Sequence, residues 1–150
     1  MNNQLNKKIP MWVNIVQGIL ILIMLQQVYM FFFDHQAVAA SGISVDGSSP
    51  NLNLLYEFAA RTATMAIISI FVMISQNPRY FIVILLMNLL REGQETIIDP
   101  LFPLLNAPVS PMGDLLIHIA IIAIELWAFI TVLKIVREMD KASNMQAKQE

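Results

Sequence analysis

Long, predominantly apolar segments alternate with shorter polar stretches along this chain, and the first of them contains no charged side chain. The first runs from Met11 to Phe33, and three more follow it. A helix of about 20 apolar residues crosses the ~30 Å hydrocarbon core of a bilayer. The pattern therefore predicts an all-α, polytopic membrane protein. We expect an antiparallel bundle of four transmembrane helices, with spans at about 11–33, 54–76, 80–99 and 112–136.

Prolines and turn-forming residues mark where the predicted helices end. Asn77-Pro78 ends the second helix, because the residue before a proline is pushed out of the helical region, and the short turn there predicts an antiparallel hairpin. Pro100 ends the third helix, and the proline-rich segment 101–111 cannot be regular helix. The composition of 34–53 predicts a loop. Ala37-Val38-Ala39 has the form of a signal-peptidase site, but the apolar run before it exceeds the ~7–15 residues of a signal-peptide core, so we expect an uncleaved helix.

Composition supports a membrane protein. Hydrophobic residues make up 57% of the 150 residues and charged residues only 13%, so the chain has more apolar surface than a soluble domain of this length buries. Cysteine is absent from the sequence, which excludes disulfides and thiolate metal sites. We therefore treat residues 1–150 as one four-helix transmembrane domain with short cytoplasmic tails, surrounded by the lipid bilayer.

The basic residues predict how the helices are oriented. The segments 34–53 and 100–111 contain no Lys or Arg. Short loops on the cytoplasmic side of a membrane carry an excess of these residues, so both termini are expected in the cytoplasm. The basic residues on that side are Lys7, Lys8, Arg79, Lys134, Arg137, Lys141 and Lys148.

One face of the third predicted helix is ionisable over about three turns. At about 100° per residue its polar side chains share a wedge of about 60°, formed by Asn88, Glu92, Glu95 and Asp99, with Arg91 at its border. A charged side chain at bilayer depth costs at least ~2.5–3.5 kcal/mol on insertion scales. This face should therefore turn towards partner groups, a cavity or water rather than lipid.

The second predicted helix carries an acid and a base one turn apart. Glu57 and Arg61 are spaced i,i+4, which favours an ion pair within the helix. The simplest interpretation is a structural pair that lets helix two lie against helix three. The Ala59/Ala63 and Ala60/Thr64 spacings permit close approach of a neighbouring helix.

The fourth predicted helix adds further ionisable side chains. Asp114, His118 and Glu125 fall within about 40° of one another on it. Glu125 is the deepest of these, near the membrane midplane. Because desolvation disfavours an ionised carboxylate, Glu125 is a candidate proton-binding group, and a neutral structural glutamate is the alternative.

Estimated depths bring the ionisable residues of three helices together. With a ~1.5 Å rise per residue, we expect one cavity in the outer half of the bundle, with Glu125 as its floor. We also expect Arg61 and Arg91 to lie within salt-bridge reach of Glu57, Glu92, Glu95 or Asp99. The candidate ligand- or proton-binding residues are Glu57, Arg61, Arg91, Glu95, Asp99, His118 and Glu125.

Several chemistries lack a motif in this chain. His118 with nearby carboxylates could ligate a divalent ion, but the paired Glu-x-x-His motif of di-iron bundles and His-Glu-x-x-His are absent. A single histidine among carboxylates is more often a hydrogen-bonded or pH-sensitive group. There is no Gly-x-Ser-x-Gly elbow, phosphate loop or nucleic-acid signature. We assign no catalytic residue, and the sequence leaves any metal or cofactor open.

The layout and two short motifs resemble the DoxX-like group of small four-helix membrane proteins. The motifs are Tyr56-Glu-Phe-Ala-Ala-Arg61 early in helix two and Asn88-Leu-Leu-Arg-Glu-Gly-Gln-Glu95 late in helix three, with a short Asn-Pro-Arg turn between these helices. The resemblance implies a multi-pass protein of the bacterial inner membrane. In some members it implies an accessory partner of redox or quinone-linked enzymes, and it transfers no catalytic residue.

Three classes of function remain open at this point. The first expectation is a non-catalytic accessory or interaction subunit, whose partner is another membrane protein or a second copy of the chain. The second is a module that either binds a small polar or amphiphilic ligand, such as a quinone, or transports one with proton coupling. A metal- or quinone-dependent membrane oxidoreductase is the third. The sequence names no substrate.

Overall fold

The computed structural model describes residues 8–104 and 107–148, and the regular structure in these ranges is entirely helical. The all-α prediction is therefore confirmed. Lys7, which contributes to the predicted orientation, lies outside the described residues, as do the last two residues of the tail. The five helices are α1 (Met11–Phe33), α2 (His35–Ala40), α3 (Ser49–Ser75), α4 (Pro78–Leu101) and α5 (Pro111–Gln146).

Helix α1 has the predicted bounds, and the other helices differ from the prediction at their ends. α3 begins earlier, because Pro50 in its first turn is preorganised for a helix and lacks an N–H that would need a partner. α4 continues through Pro100 to Leu101. α5 extends beyond the predicted span 112–136 into the predicted cytoplasmic tail, where Asp140 forms an ion pair with Arg79 at 2.7 Å.

Side chains in the connecting segments define the helix starts. The Asp34 carboxylate accepts from the backbone N–H of Ala37 at 3.0 Å and so begins α2, a helical turn that was not predicted in the outer loop. The Asn77 side chain accepts from the Arg79 N–H at 3.0 Å and begins α4. These bonds satisfy N–H groups that the first turn of a helix leaves without a partner.

The long helices pack as two antiparallel pairs. At one end of the first pair, Asn14 of α1 accepts a 2.7 Å hydrogen bond from Gln76 after α3. At the other end, the rings of Phe31 and Phe58 lie 4.8 Å apart. α4 packs against α5 as α1 packs against α3, whereas α3 and α4 contact each other much less. The outer half of α3 is thus held by α1 and not by α4.

Apolar clusters lie near both ends of the molecule. Near the predicted cytoplasmic end, side chains from α1, α3, α4 and α5 form one core, with Val13, Val72, Phe81, Leu85 and Ala128 among its members. Near the predicted outer end, α2 places Val38 on a second core with Phe31, Leu55 and Ala59. Among the described residues, the outer cluster includes no side chain of α4 or α5, so one apolar core joins all four long helices only near the inner end.

Within the part of the chain that the structure describes, three helices are long and apolar enough to cross a membrane, as expected of an integral membrane protein: Met11–Phe33, Ser49–Ser75 and Pro111–Gln146. The third predicted span, 80–99 in α4, is not among them. Its second half carries Arg91, Glu92, Glu95 and Asp99, and these charges make its composition less apolar than that of the other long helices. The side chains that α3 exposes are largely apolar, for example Ile67 and Phe71.

Candidate functional site

Glu92 joins the charged groups of α4 and α5. Its side chain is only 4% exposed, and one carboxylate oxygen is paired with the Arg91 guanidinium. The other oxygen lies 2.8 Å from Nδ1 of His118. A buried carboxylate is costly unless it is paired and hydrogen-bonded, and both of its oxygens meet that requirement here.

The His118 ring lies between carboxylates on its two sides. While Nδ1 faces Glu92, Nε2 lies 3.2 Å from Asp99 and 3.8 Å from Asp114. A neutral imidazole has one N–H and can donate to one side only, whereas an imidazolium donates to both. The arrangement therefore suits either a protonated ring or a neutral ring with a cation bound beside it.

Local helix geometry positions these groups. Glu92, Glu95 and Asp99 are spaced by three and four residues, so they share one face of α4. Asp114 and His118 are spaced i,i+4 on α5.

The first turn of α5 leaves little space at Gly113. A Cβ added there would lie 3.1 Å from a methyl carbon of Val109 and 3.2 Å from the hydroxyl of Ser110.

The acidic faces of α4 and α5 line a cavity of about 590 Å³. Ligand sites in proteins commonly have volumes of about 300–1,000 Å³. One wall is polar and contains Glu95, Asp99, Asp114 and His118. The rest of the lining is mostly apolar and comes from the outer half of α1, the loop after α2, Phe58 of α3 and the proline-rich segment before α5. The cavity is therefore amphipathic, with its negative charges on one side.

Three of the seven predicted site residues line this cavity: Glu95, Asp99 and His118. Arg91 lies beside them through its pair with Glu92. The structure therefore brings together the predicted residues of α4 and the histidine of α5. The expectation that His118 and Asp99 lie on the same side of the bundle is met at 3.2 Å.

Glu57 and Arg61 do not belong to the cavity, which corrects the predicted convergence. They pair with each other at 2.9 Å, and their side chains are 52% and 77% exposed. The reason is the helix pairing, because α3 packs on α1 and its acidic and basic side chains point away from α4 and α5. The ion-pair prediction itself is confirmed, since Arg61 pairs with Glu57 and Arg91 with Glu92.

Glu125 is not the floor of the cavity either. It lines a separate apolar cleft of about 130 Å³ between α1 and α5. Its side chain is fully buried, and neither carboxyl oxygen has a hydrogen-bond partner among the described residues. It remains close enough to interact electrostatically with Arg91, Glu92 and Glu95. Its expected role as a proton-binding group stays a prediction.

Sequence reasoning left two members of the cluster out of the candidate site. Glu92 was placed on the ionisable face of α4 and among the ion-pair partners but not among the candidate site residues, although its place in the middle of that face was a usable sign of burial. Asp114 was placed on the same face as His118 but was not carried into the site. Its position one helical turn before His118 was the sign that it belongs to the same site.

The cluster offers two groups of potential metal ligands that share His118. One consists of Glu92, Glu95 and His118, and the other of Asp99, Asp114 and His118. In each group the ligand atoms lie within 4.8 Å of one another. Imidazole with carboxylates is a donor set that binds divalent ions such as Zn²⁺ or Mn²⁺, so the residues present fit a divalent cation.

Comparisons of the chain with protein-family models, curated proteins and solved structures gave no match.

Proposed function

We propose that this chain is an integral membrane protein in which α4 crosses the bilayer together with α1, α3 and α5, as an antiparallel four-helix bundle. The charged half of α4 supports this, because Glu92, Glu95 and Asp99 face α5 and the cavity rather than the surroundings. Both termini are in the cytoplasm, since Lys and Arg are absent from 34–53 and 100–111. The cavity then opens on the outer side.

We further propose that the cavity binds a small cation, or the cationic end of an amphiphilic ligand, in exchange for a proton. The observation that carries this is the surroundings of His118, whose ring has carboxylates on both sides. The lining contains Glu95, Asp99 and Asp114, and no Lys or Arg among the described residues. With all three carboxylates ionised, its formal charge stays negative even when the imidazole is protonated.

The exchange of a proton for a cation follows from the carboxylates that surround His118. A cation that enters the cluster takes the place of the proton on His118, because both would occupy the same ring of carboxylates. Cation binding then releases protons and becomes weaker as the pH falls. The apolar wall is suited to the body of an amphiphile, and the acidic wall is suited to its charged end.

Equilibrium binding tests this function with two probes, Mn²⁺ and tetraethylammonium, on purified protein in lipid nanodiscs. At least one probe should bind, and Glu95→Gln and Asp99→Asn should each weaken binding at least tenfold. Asp46→Asn is the matched control, because Asp46 is an exposed acid in the outer loop and does not line the cavity. The proposal is wrong if neither probe binds at millimolar concentration or if the control weakens binding equally.

A divalent metal ion is a second candidate ligand, favoured by the two donor groups that share His118. In the same experiment, the electron paramagnetic resonance signal of Mn²⁺ separates the two cases. A bound signal that His118→Ala removes identifies a metal site. Binding of tetraethylammonium without bound Mn²⁺ identifies an organic cation as the ligand.

The DoxX-like resemblance supports a location in the bacterial inner membrane and an accessory role beside other membrane proteins. In this proposal, binding of the ligand is the contribution of the chain, and any redox chemistry belongs to a partner. Cell fractionation tests the location. Recovery of the protein in the outer-membrane or soluble fraction would contradict it.

A further inference from the structure

The Glu57–Arg61 pair is an exposed pair of charges on a helix that is otherwise suited to lipid. The Arg61 side chain is 77% exposed, and apolar side chains such as Ile67 and Ile68 are exposed on the same helix. Counted from Ser75 at the inner end, Arg61 lies about 21 Å along the helix axis at ~1.5 Å per residue. It therefore lies within the ~30 Å hydrocarbon core if α3 spans the membrane as proposed above.

The pair still has capacity for further hydrogen bonds. Glu57 accepts from Asn53 at 3.1 Å and from Nη2 of Arg61 at 2.9 Å. Arg61 has no other hydrogen-bond partner among the described residues. A guanidinium carries five N–H donors, so most of its donors would be left without a partner in lipid.

Small side chains next to the Glu57–Arg61 pair leave room for another helix to pack against α3. Ala60 and Thr64 lie on the exposed side of α3, one turn apart. The Thr64 hydroxyl donates to the carbonyl of Ala60 at 2.9 Å, so it needs no partner outside its own helix. Small residues at this spacing let two membrane helices approach closely. The opposite face of α3, with Ala59 and Ala66, is buried against α1.

We propose that two copies of the chain associate in the membrane through this face of α3, with Ala60 and Thr64 at the contact and Arg61 of each copy bound to Glu57 of both. This rests on the proposed membrane topology. The face carries one acid and one base and is net neutral. A two-fold axis along the membrane normal brings identical faces together at equal depth.

Charge complementarity selects a second copy over an unrelated partner. Within one chain, Arg61 already spans the rise of about 6 Å to Glu57, one turn along the helix. In a parallel pair of α3 helices, the same reach brings its free donors to Glu57 of the second copy. An unrelated helix would need its own acid and base at the same spacing.

Disulfide cross-linking tests the contact cleanly, because the chain contains no cysteine. Ala60→Cys protein, purified and reconstituted in lipid vesicles, should form a product of twice the chain mass on mild oxidation. Ala59→Cys is the matched control, since this neighbour is fully buried on the opposite face and should cross-link at least tenfold less. Equal yields for the two variants, or no product from Ala60→Cys, would overturn the proposal.

Charge variants in the Ala60→Cys background test the ion pairs. Glu57→Arg places four like charges at the contact and should reduce the cross-linked fraction at least tenfold. The reversed double variant Glu57→Arg/Arg61→Glu keeps the complementarity and should retain the cross-link, which separates a loss of association from a loss of folding. Loss of the cross-link in the reversed variant, with its circular dichroism unchanged, would overturn the ion-pair contact.

Failure of this inference can be told apart from failure of the proposed function. Alkali extraction of membranes and cation binding are measured on the same unaltered protein. If the protein stays in alkali-washed membranes and binds a cation, but Ala60→Cys gives no cross-linked product, the dimer alone is overturned. Release of the protein by alkali overturns the membrane topology and the dimer together.

Discussion

At the scale of single residues, Glu92 determines how the charges of this protein are balanced. It is paired with Arg91 on its own helix and lies beside His118 on the neighbouring helix. An ion pair in a buried position contributes little net stability, but removal of one partner leaves the other charge without compensation. The cluster is therefore sensitive to single substitutions and tolerant of paired ones.

We expect Arg91→Ala to lower the free energy of unfolding by roughly 3–5 kcal/mol, because Glu92 is buried and then keeps only His118 as a partner. The double variant Arg91→Ala/Glu92→Gln should recover part of this loss. Arg79→Ala is the matched control, since its pair with Asp140 is 60% and 50% exposed and such pairs contribute about 0–1 kcal/mol. Thermal unfolding followed by circular dichroism in detergent measures all three. A double variant less stable than Arg91→Ala would contradict the uncompensated-charge argument.

At the scale of helices, the start of α5 determines where Asp114 and His118 enter the cavity. The side chain of Ser110 accepts from the backbone N–H of Gly113 at 3.2 Å, and Pro111 occupies the first turn. Gly113 faces Val109 and Ser110 at short range. The absence of a side chain at this position therefore allows the turn to be tight.

Substitution of Gly113 tests this arrangement. Gly113→Val should lower the free energy of unfolding by about 1–3 kcal/mol, because the added carbons collide with neighbouring atoms. It should also weaken cation binding, since Asp114 is the next residue. Gly93→Ala is the matched control in α4, where an added Cβ meets nothing within 4 Å, and it should stabilise the helix by roughly 0.5–1 kcal/mol. Equal unfolding temperatures for the two variants would contradict the steric argument.

At the scale of the whole molecule, two antiparallel helix pairs enclose a cavity that is closed by apolar residues at its inner end. The inner core includes Val13, Phe81 and Ala128. The rings of Trp12 and Trp127 lie 5.1 Å apart and join α1 to α5 near the same end. Access to the cavity from the predicted cytoplasmic side would therefore require these contacts to open.

The proposed orientation predicts which cysteines a membrane-impermeant maleimide can label. Ser44→Cys in the outer loop should be labelled in intact cells, whereas Ser143→Cys near the end of α5 should be labelled only after permeabilisation. Both positions are exposed, so burial does not limit the reaction. The reverse pattern would show that the bias of Lys and Arg had been misinterpreted.

Much of the local structure could be predicted from the sequence because its causes are local. Apolar runs, prolines and the Asn77 cap specify where helices occur, and helical periodicity specifies which side chains share a face. That reasoning correctly grouped Glu95 and Asp99 on α4 and placed His118 beside them in one cavity. Its errors at helix ends came from prolines that helices tolerate in the first turn, as at Pro50, or in the last turn, as at Pro100.

The sequence by itself determined the helices, the apolar surface and the acidic face of α4, because each depends on residues within a few turns of one another. Only the tertiary structure decided that α3 packs on α1, which removes Glu57 and Arg61 from the cavity and leaves them exposed. Only packing likewise separated Glu125 from the cavity and buried Glu92 beside His118. The choice and rotation of neighbouring helices depend on contacts between residues far apart in the chain, which helical periodicity does not encode.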